Sequence, residues 1–109
     1  MEIIISKFLS SKSAVFHDEG LHLYDLIDPE ISKGREVVLS FEGLVNCSTQ
    51  FLNACLGKLY VNHSIDKIDR LLTLEGQENI PLLPKKIDDV IENAKNSEYY
   101  DKVINAAIA

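Results

Sequence analysis

Residues 35–60, REVVLSFEGLVNCSTQFLNACLGKLY, constrain this chain more than any other stretch, because they read as a buried strand, a tight loop and an amphipathic helix in one unbroken unit. Val37, Val38, Leu39 and Phe41 form a short apolar run of β-branched and aromatic residues, too brief for a helix and suited to an interior strand covered on both faces. Glu42-Gly43 ends it. Beyond the loop, Phe51, Leu52, Cys55, Leu56 and Leu59 recur at helical spacing, which turns one apolar stripe toward a sheet and leaves Gln50, Asn53 and Lys58 nearer solvent. Between strand and helix stand Asn46, Cys47, Ser48 and Thr49. The amide and the two hydroxyls can accept bonds from the free N–H groups of a first helical turn, so Ser48 or Thr49 is the expected N-cap. An anion site or a phosphorylation site would use the same residue types, and both readings of the loop stand open at this point.

The rest of the chain alternates in the same way. Residues 3–8 read as a first strand and 9–20 as a polar connection with Ser10-Ser11-Lys12-Ser13 as turn chemistry. Gly20 opens a helical segment carrying Leu23, Leu26 and Ile27 on one face, and Asp28 before Pro29 suggests a break with a new cap. A turn is expected over 62–66, a strand over 71–74 ended by Glu75-Gly76, and a helix over 85–95 with Ile87, Val90, Ile91 and Ala94 as its stripe. Ser97 then caps a last helix whose apolar face is Tyr100, Val103, Ile104, Ala107 and Ile108. A helix so short does not stand alone in water, so it packs on its own domain or makes a homodimer with a second copy. Strand and helix in alternation give an α/β fold: one small domain, 1–109, with a mixed sheet of about four strands, helices mainly on one side, and 85–109 as a C-terminal helical extension. Gly57 lies inside the second helix, where it costs about 0.8–1.0 kcal/mol relative to Ala, which suggests close approach to a strand or to a partner's backbone.

Charge and cysteine usage narrow the function. Seventeen acidic against eleven basic residues give a net charge of -6, and Lys85-Lys86 is the sole basic doublet, so a nucleic-acid partner is not expected. No segment approaches membrane-spanning length, and the opening MEIIISKFL has Glu2 where a secretion signal would be basic. Cys47 and Cys55 are then reduced thiols of a cytoplasmic protein. His17, His22 and His63 lack the spacing that brings metal ligands onto one face, the five glycines are too scattered for a phosphate loop, and neither metal nor cofactor is expected. Cys55 falls on the inward stripe as a small hydrophobe, whereas Cys47 precedes a helix N-terminus, the environment that lowers a thiol's pKa. A small thiol-dependent or ligand-binding protein using Cys47 is therefore the alternative to a non-catalytic module.

The strand 37–41, the Gly-containing turn, the small hydroxylated loop and the following FLNACLGKL resemble the central segment of STAS-like domains, small bacterial relatives of anti-sigma-factor antagonists. The resemblance runs from Ile3 to about Glu75, with Phe51-Leu52, Gly57 and Leu59 its best-matched part. It implies a non-enzymatic interaction protein of a bacterial regulatory pathway. Its docking face would be Asn46, Ser48, Thr49, Gln50 and Asn53, its partner a histidine-kinase-like ATPase, and a phosphate on Thr49 or Ser48 would release the two. Phosphorylated antagonists usually carry an Asp-Ser pair in this loop; here the stretch reads Cys47-Ser48-Thr49-Gln50, and Ser40 stands where the strand commonly ends in an acidic residue.

Overall fold

The computed structural model describes the backbone of residues 1–108 and side-chain surroundings as far as residue 96. The chain opens with β1 (Glu2–Ile4), turns at once into helix α1 (Ile5–Leu9), and adds a two-residue strand β2 (Ser13–Ala14) before helix α2 (His17–Ser32). β3 (Val37–Ser40) and a second two-residue strand, β4 (Asn46–Cys47), lead into an unbroken helical stretch over 49–62. That stretch consists of α3 (Thr49–Leu52), a π-helical turn (Asn53–Gly57) and α4 (Lys58–Asn62). Helix α5 (Ile65–Leu71), β5 (Leu72–Glu75), a 3-10 turn (Gln77–Asn79) and helix α6 (Leu83–Ile108) complete the order.

The strands form two parallel sheets, β1-β3-β5 and β2-β4, where a mixed sheet of about four strands was expected. Helices lie in the connections from β1 to β3 and from β3 to β5, and such crossovers return the chain in the same direction, so every pair is parallel. α1 and the turn over 41–45 split the ladder into two. Register places Ile3, Leu39 and Leu74 side by side on the face that carries the core, and Glu2, Val38 and Thr73 on the other. Val38 is half-buried there and Glu2 and Thr73 are exposed, so β3 is interior within its ladder but is not fully covered on its second face.

Five local expectations change. Residues 5–9 leave the strand and become helical, because Ile5 and Leu9 at i, i+4 both turn inward, Ile5 completely. Part of the polar connection is the strand β2. α2 runs through Pro29 without a break: Leu23, Ile27 and Ile31 are fully buried on both sides of it, and that packing outweighs the lost backbone bond. Asp28 caps nothing; its Oδ1 accepts from the Tyr24 hydroxyl at 3.1 Å and lies 2.5 Å from His63 Nε2, while Asn62 Nδ2 donates to the Tyr24 oxygen at 2.9 Å. This polar brace ties α2 to the end of α4. The expected turn over 62–66 gives way to α5, whose Ser64 cap accepts from Lys67 N–H and whose Ile68 and Leu71 are buried. α6 is continuous from Leu83 to Ile108, so Ser97 does not begin a new helix. The apolar face assigned to Tyr100, Val103, Ile104, Ala107 and Ile108 lies outside the residues whose side chains are described.

Phe51, Leu52, Cys55, Leu56 and Leu59 are all completely buried, against Leu23, Ile27 and Ile31 of α2, Leu39 of β3, and Leu83, Ile87 and Val90 of α6. The tight backbone approach expected at Gly57 occurs instead at Gly20. A Cβ on Gly20 would stand 2.6 Å from the Phe51 carbonyl oxygen and 2.7 Å from Ala54 Cβ, distances that only a glycine avoids. At Gly57 the same test gives 3.5 Å to Asn53 Oδ1 and 3.6 Å to Val90 Cγ1, ordinary contacts that an alanine would make. Two substitutions of the same kind therefore have opposite signs. Gly20→Ala will destabilise by about 1–3 kcal/mol through overpacking, and Gly57→Ala will stabilise by about 0.5–1 kcal/mol through helix propensity. Denaturant midpoints check both, and the same series should place Phe51→Ala about 3–5 kcal/mol below the parent.

Candidate functional site

The loop before the long helical stretch is held from three directions. β2 pairs with β4, Val45 N–H donates to the Lys12 carbonyl at 2.8 Å, and Ser48 N–H donates to the Ala14 carbonyl at 2.9 Å. On the helical side, the Ser48 hydroxyl oxygen accepts from Phe51 N–H at 3.1 Å, the N-cap bond. That hydroxyl also donates to the Val15 carbonyl at 2.6 Å, so its bonding capacity is taken up by backbone on both sides. From α6, the Lys86 ammonium donates to the Cys47 carbonyl at 3.4 Å.

Of the residues singled out from the sequence, Asn46, Thr49, Gln50 and Asn53 are exposed and Ser48 is half-buried. The first four stand along one strand end and the first turns of one helix, with Ser48 beneath as their fastening. Thr49, next in the chain, offers an accessible side chain at the positive end of the helical stretch.

Three further residues belong with them. Leu82, Phe16 and Val45 are the most exposed large apolar side chains described, at 71, 69 and 68%. Val45 precedes Asn46, Phe16 follows the residue that Ser48 grips, and Leu82 lies one turn before Lys86, whose ammonium reaches the Cys47 carbonyl. Leu82 also has φ +68°, at the third position of the turn 80–83 closed by Leu83 N–H to the Ile80 carbonyl at 3.1 Å. Glycine is the usual residue there, and a leucine in the left-handed region costs roughly 1–2 kcal/mol. Periodicity has no access to these positions, because none belongs to an apolar stripe.

Cys47 does not have the environment expected of a nucleophile. It is buried, and burial pushes its thiol up to about 12, against the opposing pull of the Lys86 ammonium. Cys55 is also displaced upward by burial, and its Sγ lies 3.7 Å from the Leu52 carbonyl. His63 is engaged with Asp28 rather than with either thiol. A thiolate mechanism at Cys47 is thus disfavoured by desolvation, which outweighs the helix N-terminus.

Two outcomes follow for the thiols. In the folded protein both cysteines should react with alkylating reagents only as fast as the structure opens; rapid native labelling of Cys47 would contradict its burial. Because the thiols stay protonated when folded and ionise at about pH 8.5 when unfolded, their contribution is intact below that pH. It is lost as pH rises toward about 12 for Cys47, and unfolding free energy should fall by roughly 1.4 kcal/mol per pH unit per thiol. Cys47→Ala should remove its share of that slope in pH-dependent denaturation.

A family model described as STAS-like domain of unknown function (DUF4325) matches residues 19–80, from the first turn of α2 to the approach to α6. No curated protein and no solved structure matches the chain. Among the described residues, no helix is long and apolar enough to cross a membrane.

Proposed function

The chain belongs to the STAS-like domain family of unknown function, and on that footing we propose that it is a non-catalytic protein-interaction module of a bacterial regulatory pathway, acting in the cytoplasm. The observation that carries this reading is the coincidence of exposed apolar groups with a braced polar loop. Phe16, Val45 and Leu82 supply anchors, Asn46, Thr49, Gln50 and Asn53 supply the polar rim, and the Ser48 bonds hold the loop in place before a partner arrives. Leu82 strengthens it. An exposed leucine in a strained conformation contributes nothing to the fold that glycine would not, which is how a contact residue looks when its partner is missing.

The partner is a protein with an apolar pocket, of the histidine-kinase-like ATPase type that the resemblance to antagonists suggests. Partner switching would run through Thr49. A phosphate there brings roughly -1.5 to -2 charge to the helix N-terminus, where the dipole tolerates it, but the same charge inside a docked interface would be stripped of water. Ser48 suits the switch less, since modifying it means breaking both bonds that hold the loop.

Affinity purification from the native cell, with mass spectrometry of partner and phosphosite together, tests this reading. Thr49→Glu should leave thermal stability within about 1 kcal/mol of the parent and lose the partner. Leu82→Gly should keep or slightly raise stability by relieving the turn and should also lose the partner. A partner held equally well by both variants would remove the loop from the interface.

A further inference from the structure

The corner where the helical stretch 49–62 meets α5 carries a titratable pair that the docking loop does not use. His63 ends the stretch with an extended backbone, and its Nε2 lies 2.5 Å from Asp28 Oδ1 of α2. The His63 side chain is 11% exposed and that of Asp28 33%, so the pair is only partly open to water. The same Asp28 oxygen accepts from the Tyr24 hydroxyl at 3.1 Å, and the Tyr24 oxygen accepts from Asn62 Nδ2 at 2.9 Å. Burial pushes the Tyr24 phenol above its ordinary value, so it remains a donor to Asp28 at any pH where a histidine changes charge.

The pair meets α2 where that helix is short of a bond. Pro29, the next residue, has no N–H, so the helix loses the bond that would reach the Asp25 carbonyl one turn earlier. Side chains of the corner cross to α2 on both sides of that gap: His63 to Asp28, and the Lys67 ammonium of α5 to the Ser32 carbonyl at 3.4 Å. The other charged groups here are Asp25 of α2, Asp66 in the first turn of α5, and Lys58 of α4, whose ammonium stands 4.4 Å over the Tyr24 ring. Among the described residues, Asp28 is the only carboxylate bonded to His63.

We propose that His63 and Asp28 are a proton-operated latch, which holds the end of the helical stretch on α2 when the imidazole is charged and loosens when it is neutral. The imidazolium makes a charge-assisted bond to the carboxylate; the neutral ring keeps a weaker one, and only in the tautomer with its proton on Nε2. The helical stretch is then fastened at its two ends by different chemistry. At its start the Ser48 hydroxyl grips the Val15 carbonyl just before α2, a bond with no titratable group in it. At its end the bond depends on a proton. A fall in pH through the histidine range tightens the corner and leaves the loop as it is, whether or not the loop docks a partner.

A double-mutant cycle read by denaturant unfolding tests this, with the parent, His63→Gln, Asp28→Asn and the double variant at about pH 5.5 and about pH 8. The exposed His17 and His22 are common to all four chains and cancel. The coupling between positions 28 and 63, read as a factor in the unfolding equilibrium constant, should be larger at the lower pH by roughly threefold or more. The parent alone gives a second reading: protection of the His63 amide, bonded to the Leu59 carbonyl at 3.0 Å, should fall by a similar factor as pH rises over that range. Equal coupling at both pH values, or His63 protection that does not change, would overturn the latch and leave the pair a fixed hydrogen bond.

Discussion

Everything in this molecule is arranged around one contact, the crossing of α2 over the start of the helical stretch 49–62 at Gly20. With the Phe51 carbonyl 2.6 Å and Ala54 Cβ 2.7 Å from where a Cβ would be, the two backbones meet without an intervening side chain. That closeness lets Phe51, Leu52, Cys55 and Leu56 sink completely into the interior with Leu23 and Ile27. Buried apolar area is the main stabilising term in a chain of this size, so the position of the helical stretch follows from the crossing. The π-helical turn over 53–57 belongs to the same geometry. Its wider turn allows Ala54, Cys55 and Leu56 to be buried consecutively, which a regular helix on a flat surface would not.

The loop inherits its rigidity from this crossing. Ser48 caps the helical stretch through Phe51 N–H and grips Val15 just before α2, so the two elements that cross at Gly20 are also stapled at their beginnings. The hydroxyl thereby fixes the strand end, the first helical turn and the start of α2 relative to one another. A docking surface built on such a frame loses little conformational entropy when it binds.

What was legible in the sequence is what depends on local periodicity. The stripe from Phe51 to Leu59 was visible because five apolar residues share one helical face, and Ser48 was visible as a cap because a hydroxyl before such a stripe has few other uses. The β3 run and the STAS-like pattern were likewise local. Distance decided the remainder. Two-residue strands such as β2 and β4 have no signature of their own; they exist because the loop and residues 12–15 are brought together. α5 is short, and its signal, Ser64 followed by Ile65, Ile68 and Leu71, is too brief to stand out from a turn. Which glycine sits at a crossing cannot be read from either one's neighbours, and so Gly57 took the role that belongs to Gly20. The thiol of Cys47 is governed by burial rather than by the helix it precedes, and the exposed Phe16, Val45 and Leu82 belong to no periodic stripe.

The bonds around Ser48 make the loop over 46–50 a rigid platform, fixed before any partner is present. Native-state amide hydrogen exchange addresses it directly at two positions, Ser48 N–H bonded to the Ala14 carbonyl and Phe51 N–H bonded to the Ser48 hydroxyl. Both should exchange only through global unfolding, with protection matching that of the core amides and denaturant dependence of the same slope. Exchange of these two amides through a small, denaturant-independent opening, while the core stays protected, would show a loop that orders only on binding and would contradict the claim.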